Sequence, residues 1–113
     1  MKSITLYTKP VPVNQKYGVV NGRMLLQKKY RDAKNDIALE IRSQWPEMPR
    51  TDDLCMNVMI YLGTKRKIDI DAYLKILLDA AEGVVFDNDN QVTELHVFRE
   101  YDKQNPRVEI QIL

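Results

Sequence analysis

LCMNVMIYLGTKRKIDIDAYLKILLDAAEG, Leu54 to Gly83, decides the fold. Leu54, Met56, Val58, Ile60 and Leu62 fall at every second position, the period of a strand with one buried face. Past Gly63 the alternation resumes. It predicts a continued strand with Ile68 and Ile70 towards the core and Lys65, Lys67, Asp69 and Asp71 on the opposite face. A helix is then expected from Ala72 to Glu82, because Tyr73, Ile76, Leu77, Ala80, Ala81 and Val84 share one side at helical spacing. Asp71 is the expected N-cap and Gly83 the C-cap residue.

Working outward, Ser3 to Tyr7 alternates as a first strand, and Thr8 to Arg23 reads as a long connection with two prolines and two glycines. Tyr30, Ala33, Ile37, Ile41 and Trp45 give the apolar side of a helix from Lys28 to Gln44, which Pro46 ends. After Gly83 come a short apolar segment, Val84 to Phe86, a polar turn, Asp87 to Asn90, and strands at Val92 to Arg99 and Arg107 to Leu113. The order is β-α-β-α-β-β: an α+β domain, residues 1–113, with two helices against a small mixed sheet.

The 113 residues include one cysteine and one histidine, so no internal disulfide and no zinc-finger set of Cys and His is expected. Cys55 reads as core and His96 as a surface strand residue. No apolar run approaches a membrane span, and the alternating start MKSITLYTKP is unlike a signal peptide, so a soluble, intracellular (cytoplasmic) protein is expected. The net charge of +1 conceals an uneven distribution: residues 1–34 hold eight basic groups and one acid, while residues 76–113 hold three basic groups and eight acids. The basic first third and the knot Lys65, Arg66, Lys67 are where a polyanion would dock. In the basic loop, Lys16 adds charge and Tyr17 is the better candidate for stacking on a base, since Tyr30 and Trp45 belong to the core.

Asp69, Asp71 and Asp89, with Lys75 one turn after Asp71, are the residues that point to chemistry. Carboxylates about 4 Å apart repel by roughly 4 kcal/mol at an effective dielectric near 20, and a divalent cation reverses that sign. Oxygen donors without thiol or imidazole select Mg²⁺ or Mn²⁺, the ions suited to phosphodiester hydrolysis, and Lys75 can face the charge that builds on phosphate. A plainer account of the same residues stays open: Asp71 as a cap, Lys75 paired with Asp71 or Asp79, and DNDN as a polar turn. No phosphate-binding glycine motif occurs, so no nucleotide cofactor is expected, and an EF-hand fails because Val92 stands where its glycine belongs.

KRKIDIDAYLKILLDAAEGVVFDNDNQV, Lys65 to Val92, resembles the RusA family of Holliday junction resolvases. There an Asp-x-Asp-Asn-x-x-Lys motif precedes a helix and an Asp-Asp-x-Gln turn follows. Pro12, Asn14 and Tyr17 look like the family's Pro-x-Asn-x-x-Tyr loop. The resemblance implies Asp69, Asp71 and Asp89 as metal ligands, Lys75 as the essential lysine and Asp79 as the acid within the helix; with it, the basic loop, Asn14, Lys16 and Tyr17, and the knot Lys65, Arg66 and Lys67 are expected at the DNA. It further implies a Mg²⁺-dependent homodimer that cuts opposed strands of a four-way junction. Two positions depart from the motif: Ala72 stands for its asparagine and Asn88 for the turn's first aspartate. A nuclease of broader taste for flaps, and a non-catalytic junction-binding accessory protein, are the rival readings. Recombination, repair and viral or prophage genome processing are all open as host processes.

Overall fold

The computed structural model describes residues 1–113. Its strands are β1 (Lys2–Leu6), β2 (Tyr17–Val20), β3 (Arg23–Leu26), β4 (Leu54–Leu62), β5 (Val92–Tyr101) and β6 (Arg107–Ile112), with helices α1 (Lys28–Gln44) and α2 (Leu74–Ala81). Four strands form one sheet in the order β1-β6-β4-β5, and β2 pairs with β3 in a separate hairpin. The β4–β5 pair is parallel, whereas β1–β6 and β4–β6 are antiparallel. The expected α+β class and mixed sheet are therefore present.

Alternation explains which face is buried. Leu54, Met56, Val58 and Ile60 of β4, Ile4 and Leu6 of β1, and Val108, Ile110 and Ile112 of β6 join Tyr30, Ile37, Ile41 and Trp45 in one core. From α2 the same core takes Ile76, Leu77, Ala80 and Ala81. Both helices thus cover a single face of the sheet. The uncovered face mixes polar side chains with Met59, Tyr61 and the half-exposed Phe98; on it Asn57 donates to Gln111 at 3.2 Å and the Arg107 guanidinium lies 3.9 Å above the Tyr61 ring. No helix is long and apolar enough to cross a membrane.

Four expectations are corrected. The strand does not resume after Gly63: residues 65–69 are irregular, residues 70–73 form a turn, and Ile70 is 48% exposed. The amide of Ala72 bonds to the Asp69 carbonyl at 3.0 Å, so a turn forms where pairing with a neighbour strand would have been needed. Consequently α2 starts at Leu74, its N-cap is Tyr73 without a side-chain cap, and Asp71 contributes only its carbonyl, which accepts from Leu74 N–H at 3.1 Å. The connection Thr8–Arg23 is not all loop. It contains β2 and the Asn21-Gly22 turn into β3, whose positive φ values of 52° and 76° suit a tight hairpin. Cys55 is half-buried on the uncovered face, because alternation that sends Leu54 and Met56 inward must send it outward.

Gly83 does end α2, at φ 83° just past the C-cap Glu82. A Cβ there would meet nothing within 4 Å, so a substitution feels the backbone alone. Gly83→Ala is expected to lower unfolding free energy by about 1–2 kcal/mol, the cost of a left-handed conformation for an L residue, measured by urea denaturation.

Candidate active site

α2 carries a charged stripe on the side away from the core. Lys75 Nζ lies 3.0 Å from Asp79 Oδ1, an i,i+4 pair. Asp79 Oδ2 also accepts from Tyr30 Oη at 2.8 Å and from Lys16 Nζ at 3.2 Å. Burial alone would raise the Asp79 pKa. Hydrogen bonds from Lys75, Tyr30 and Lys16 more than offset it, so this carboxyl sits below the usual range. Burial and the Asp79 carboxylate push the Tyr30 phenol well up, keeping it a donor. The Lys75 pKa is raised, first by its hydrogen bond to Asp79 and further by the charges of Asp79, Asp89 and Glu82. Lys75 is therefore a fixed ammonium, half-exposed, that feels Asp89.

Asp69 and Asp71 sit on the segment entering α2. That segment is held from both sides: Arg99 Nη1 of β5 donates to the Ile68 carbonyl, and Val13 N–H donates to the Ala72 carbonyl at 3.0 Å. Val13 begins a short 3₁₀ turn, Val13–Gln15, so the loop holding Pro12, Asn14 and Tyr17 packs on the start of α2. Asp89 stands at the opposite end of the helix. Its amide donates to Glu82 Oε1 at 3.2 Å, within a second 3₁₀ turn, Asp89–Gln91.

Gln91 fixes that turn. It is 9% exposed, accepts through Oε1 from the amides of Asp87 (2.9 Å) and Asn88 (2.8 Å), and donates through Nε2 to the carbonyls of Arg50 (2.8 Å) and Asp52 (2.9 Å). Asn88 completes a capping box by accepting from Asn90 N–H at 2.9 Å. Gln91, Arg99 and the hydroxyl of Tyr30 are site-building residues that periodicity does not reveal, because each acts through a partner distant in sequence. The family motif's glutamine was the only signal for any of them.

The side chains of Asp69, Asp71 and Asp89 are exposed, and none enters an ion pair within 4.0 Å. An all-oxygen set left unneutralised suits a hard divalent cation. The three are not drawn together, however: the one set of three such donor side chains within 4.8 Å is Cys55, Glu94 and His96. Eight helical residues, about 12 Å of rise, separate the segment of Asp69 and Asp71 from the turn of Asp89.

The basic residues also divide. Lys16 is largely buried against Asp79 and is committed there, while its ammonium lies 5.2 Å from the ring of the half-exposed Tyr17. Asn14, Lys65, Arg66 and Lys67 are exposed. Lys65, Arg66, Lys67, Arg99 and Tyr101 line a shallow depression of about 300 Å³ beside the aspartate segment. A larger cleft of about 640 Å³, which reaches Lys9, Gln15, Arg66, Tyr73 and Arg107, lies between that segment and the ends of β4 and β6.

The endodeoxyribonuclease RusA family pattern matches residues 8–113. The chain belongs to the RusA family. No curated protein matches it. The family is one of endodeoxyribonucleases, in keeping with exposed aspartates at the two ends of α2 and a basic depression beside the first pair.

Two outcomes are expected. Gln91→Leu leaves two amides and two carbonyls without partners and should destabilise the fold by about 2–4 kcal/mol in denaturant titrations. Asp79 has a lowered folded pKa, so its stabilisation is complete above the ordinary carboxylate pKa and fades as pH falls through the folded value. Tyr30→Phe removes one of its donors, so the stability gap between parent and variant should be larger at neutral pH than in acid.

Proposed function

We propose that this RusA family member resolves four-way DNA junctions by hydrolysing one phosphodiester in each of two opposed strands, acting as a homodimer with Mg²⁺ or Mn²⁺. Membership of the family over residues 8–113 carries the reading. Supporting it are three exposed aspartates in no ion pair within 4.0 Å, a lysine held charged on the helix between them, and a basic depression beside the first two.

Asp69 and Asp71 are the carboxylates that would hold the ion, and Asp89, at the far end of α2 in the same chain, would complete the set only across the two-fold of the dimer or after a rearrangement. Bound there, the ion would polarise a phosphate oxygen and lower the pKa of the attacking water. Asp79 positions the Lys75 ammonium, which stabilises negative charge on the phosphate as the bond to the leaving oxygen breaks. Lys65, Arg66 and Lys67 hold the DNA backbone, Asn14 and Tyr17 contact it from the neighbouring loop, and Lys16 supports Tyr17 from its place on Asp79. A two-fold dimer matches the approximate two-fold symmetry of a four-way junction and gives paired cuts.

The purified chain should cut a labelled immobile junction only with added divalent metal, at symmetrically related positions, and faster than matched flap and duplex substrates. Asp71→Asn should abolish cutting yet retain junction binding. Lys75→Ala should slow it on the order of 10²–10³-fold. Binding should weaken with salt, log K falling by about 0.9 per phosphate contact per unit of log salt. Equal cutting of flaps would favour the broader nuclease, and binding without any metal-stimulated product would favour the accessory protein.

A further inference from the structure

The uncovered face of the sheet holds a second donor cluster with a different chemistry. The parallel register of β4 and β5 sets Cys55 opposite Glu94 and Asn57 opposite His96. Alternation then points Cys55, Glu94 and His96 to the same side, away from the core. The thiol sulfur, a carboxylate oxygen and an imidazole nitrogen all lie within 4.8 Å of one another, and His96 Nε2 stands 3.7 Å from Glu94 Oε1.

That 3.7 Å spacing is too long for a hydrogen bond. A shared tetrahedral ion with bonds of about 2.0–2.2 Å to nitrogen and oxygen would set these two atoms about 3.3–3.5 Å apart, so they stand within a few tenths of an ångström of that spacing. The donors sit on two paired strands, so side-chain rotation suffices to close on an ion without backbone movement. A thiol and an imidazole select a borderline-soft cation over magnesium, which the all-oxygen aspartates prefer.

We propose that Cys55, Glu94 and His96 bind a zinc ion, with the fourth position open to solvent. On binding, the Cys55 thiol gives its proton to water and ligates as thiolate, Glu94 ligates as carboxylate and His96 as neutral imidazole. The ion ties edge strand β5 to β4 across the sheet. The site is separate from the aspartates and does not depend on the nuclease reading.

Cobalt(II) reports thiolate ligation optically, so the metal-free full chain would be titrated with Co²⁺ and then with Zn²⁺. A thiolate-to-cobalt charge-transfer band should saturate at one ion per chain and be bleached by zinc, and zinc should raise the melting temperature. Cys55→Ser should lose the band. His96→Ala and Glu94→Ala, both exposed positions that leave the core untouched, should each weaken binding about tenfold or more. Asp71→Asn combined with Asp89→Asn should leave the titration unchanged. The absence of a band in the parent chain would overturn the site. Unchanged affinity in both the His96 and Glu94 variants would do so too, since the ion would then be held by the thiol alone.

Discussion

The parallel pairing of β4 with β5 is the constraint that the rest obeys. Parallel neighbours cannot be joined by a tight turn, so the chain must leave the end of β4, return along the sheet and re-enter at the start of β5. α2 is the return path. Its two ends are therefore fixed at opposite ends of the sheet, with Asp69 and Asp71 on the segment before it and Asp89 on the turn after it. The same pairing brings Cys55, Glu94 and His96 together on the other face. One topological requirement thus sets the spacing of both candidate sites.

Polar groups hold the two ends of the crossover where apolar packing cannot. At the entry, Val13 and Arg99 satisfy backbone carbonyls of the segment that carries the first two aspartates. At the exit, Gln91 uses both amide atoms twice, tying the turn of Asp89 to the chain before β4. Between them, Asp79 gathers Lys16, Tyr30 and Lys75, linking the first loop, α1 and α2. A buried carboxylate is tolerable only with such partners. Here they also fix the lysine that faces the candidate site.

Elements whose burial follows a simple period were legible in the sequence. The stripe of β4, the apolar side of α1 and the stop at Gly83 are local signals of packing or backbone geometry. The alternation of Ile68 and Ile70 copies a strand but has no partner strand to pair with, and a strand's existence depends on that partner. The β2–β3 hairpin hid because Val19, Val20, Met24 and Leu25 are exposed and follow no alternation of burial, although Asn21-Gly22 is a strong turn signal. The aspartates and Lys75 stood out as candidates by motif and spacing. Their separation along α2, and the meeting of the single cysteine with the single histidine, are properties of register, which one sequence does not print.

The two departures from the family motif are structurally provided for. Ala72 packs against the core through its methyl group and offers its carbonyl to Val13, so the position holds the loop to α2 without needing an amide side chain. Asn88 caps the Asp89–Gln91 turn through Oδ1, the same acceptor an aspartate would present, so the substitution removes a negative charge and keeps the hydrogen bond. Fewer negative charges beside Asp89 mean less repulsion there and a weaker local pull on a cation. Asp87, one residue back, has its amide fixed by Gln91 and its carboxylate exposed, so that pull is partly restored from the same turn. Under the proposed function the departures would bear on how strongly a cation is held, and they leave intact the scaffold that presents the aspartates.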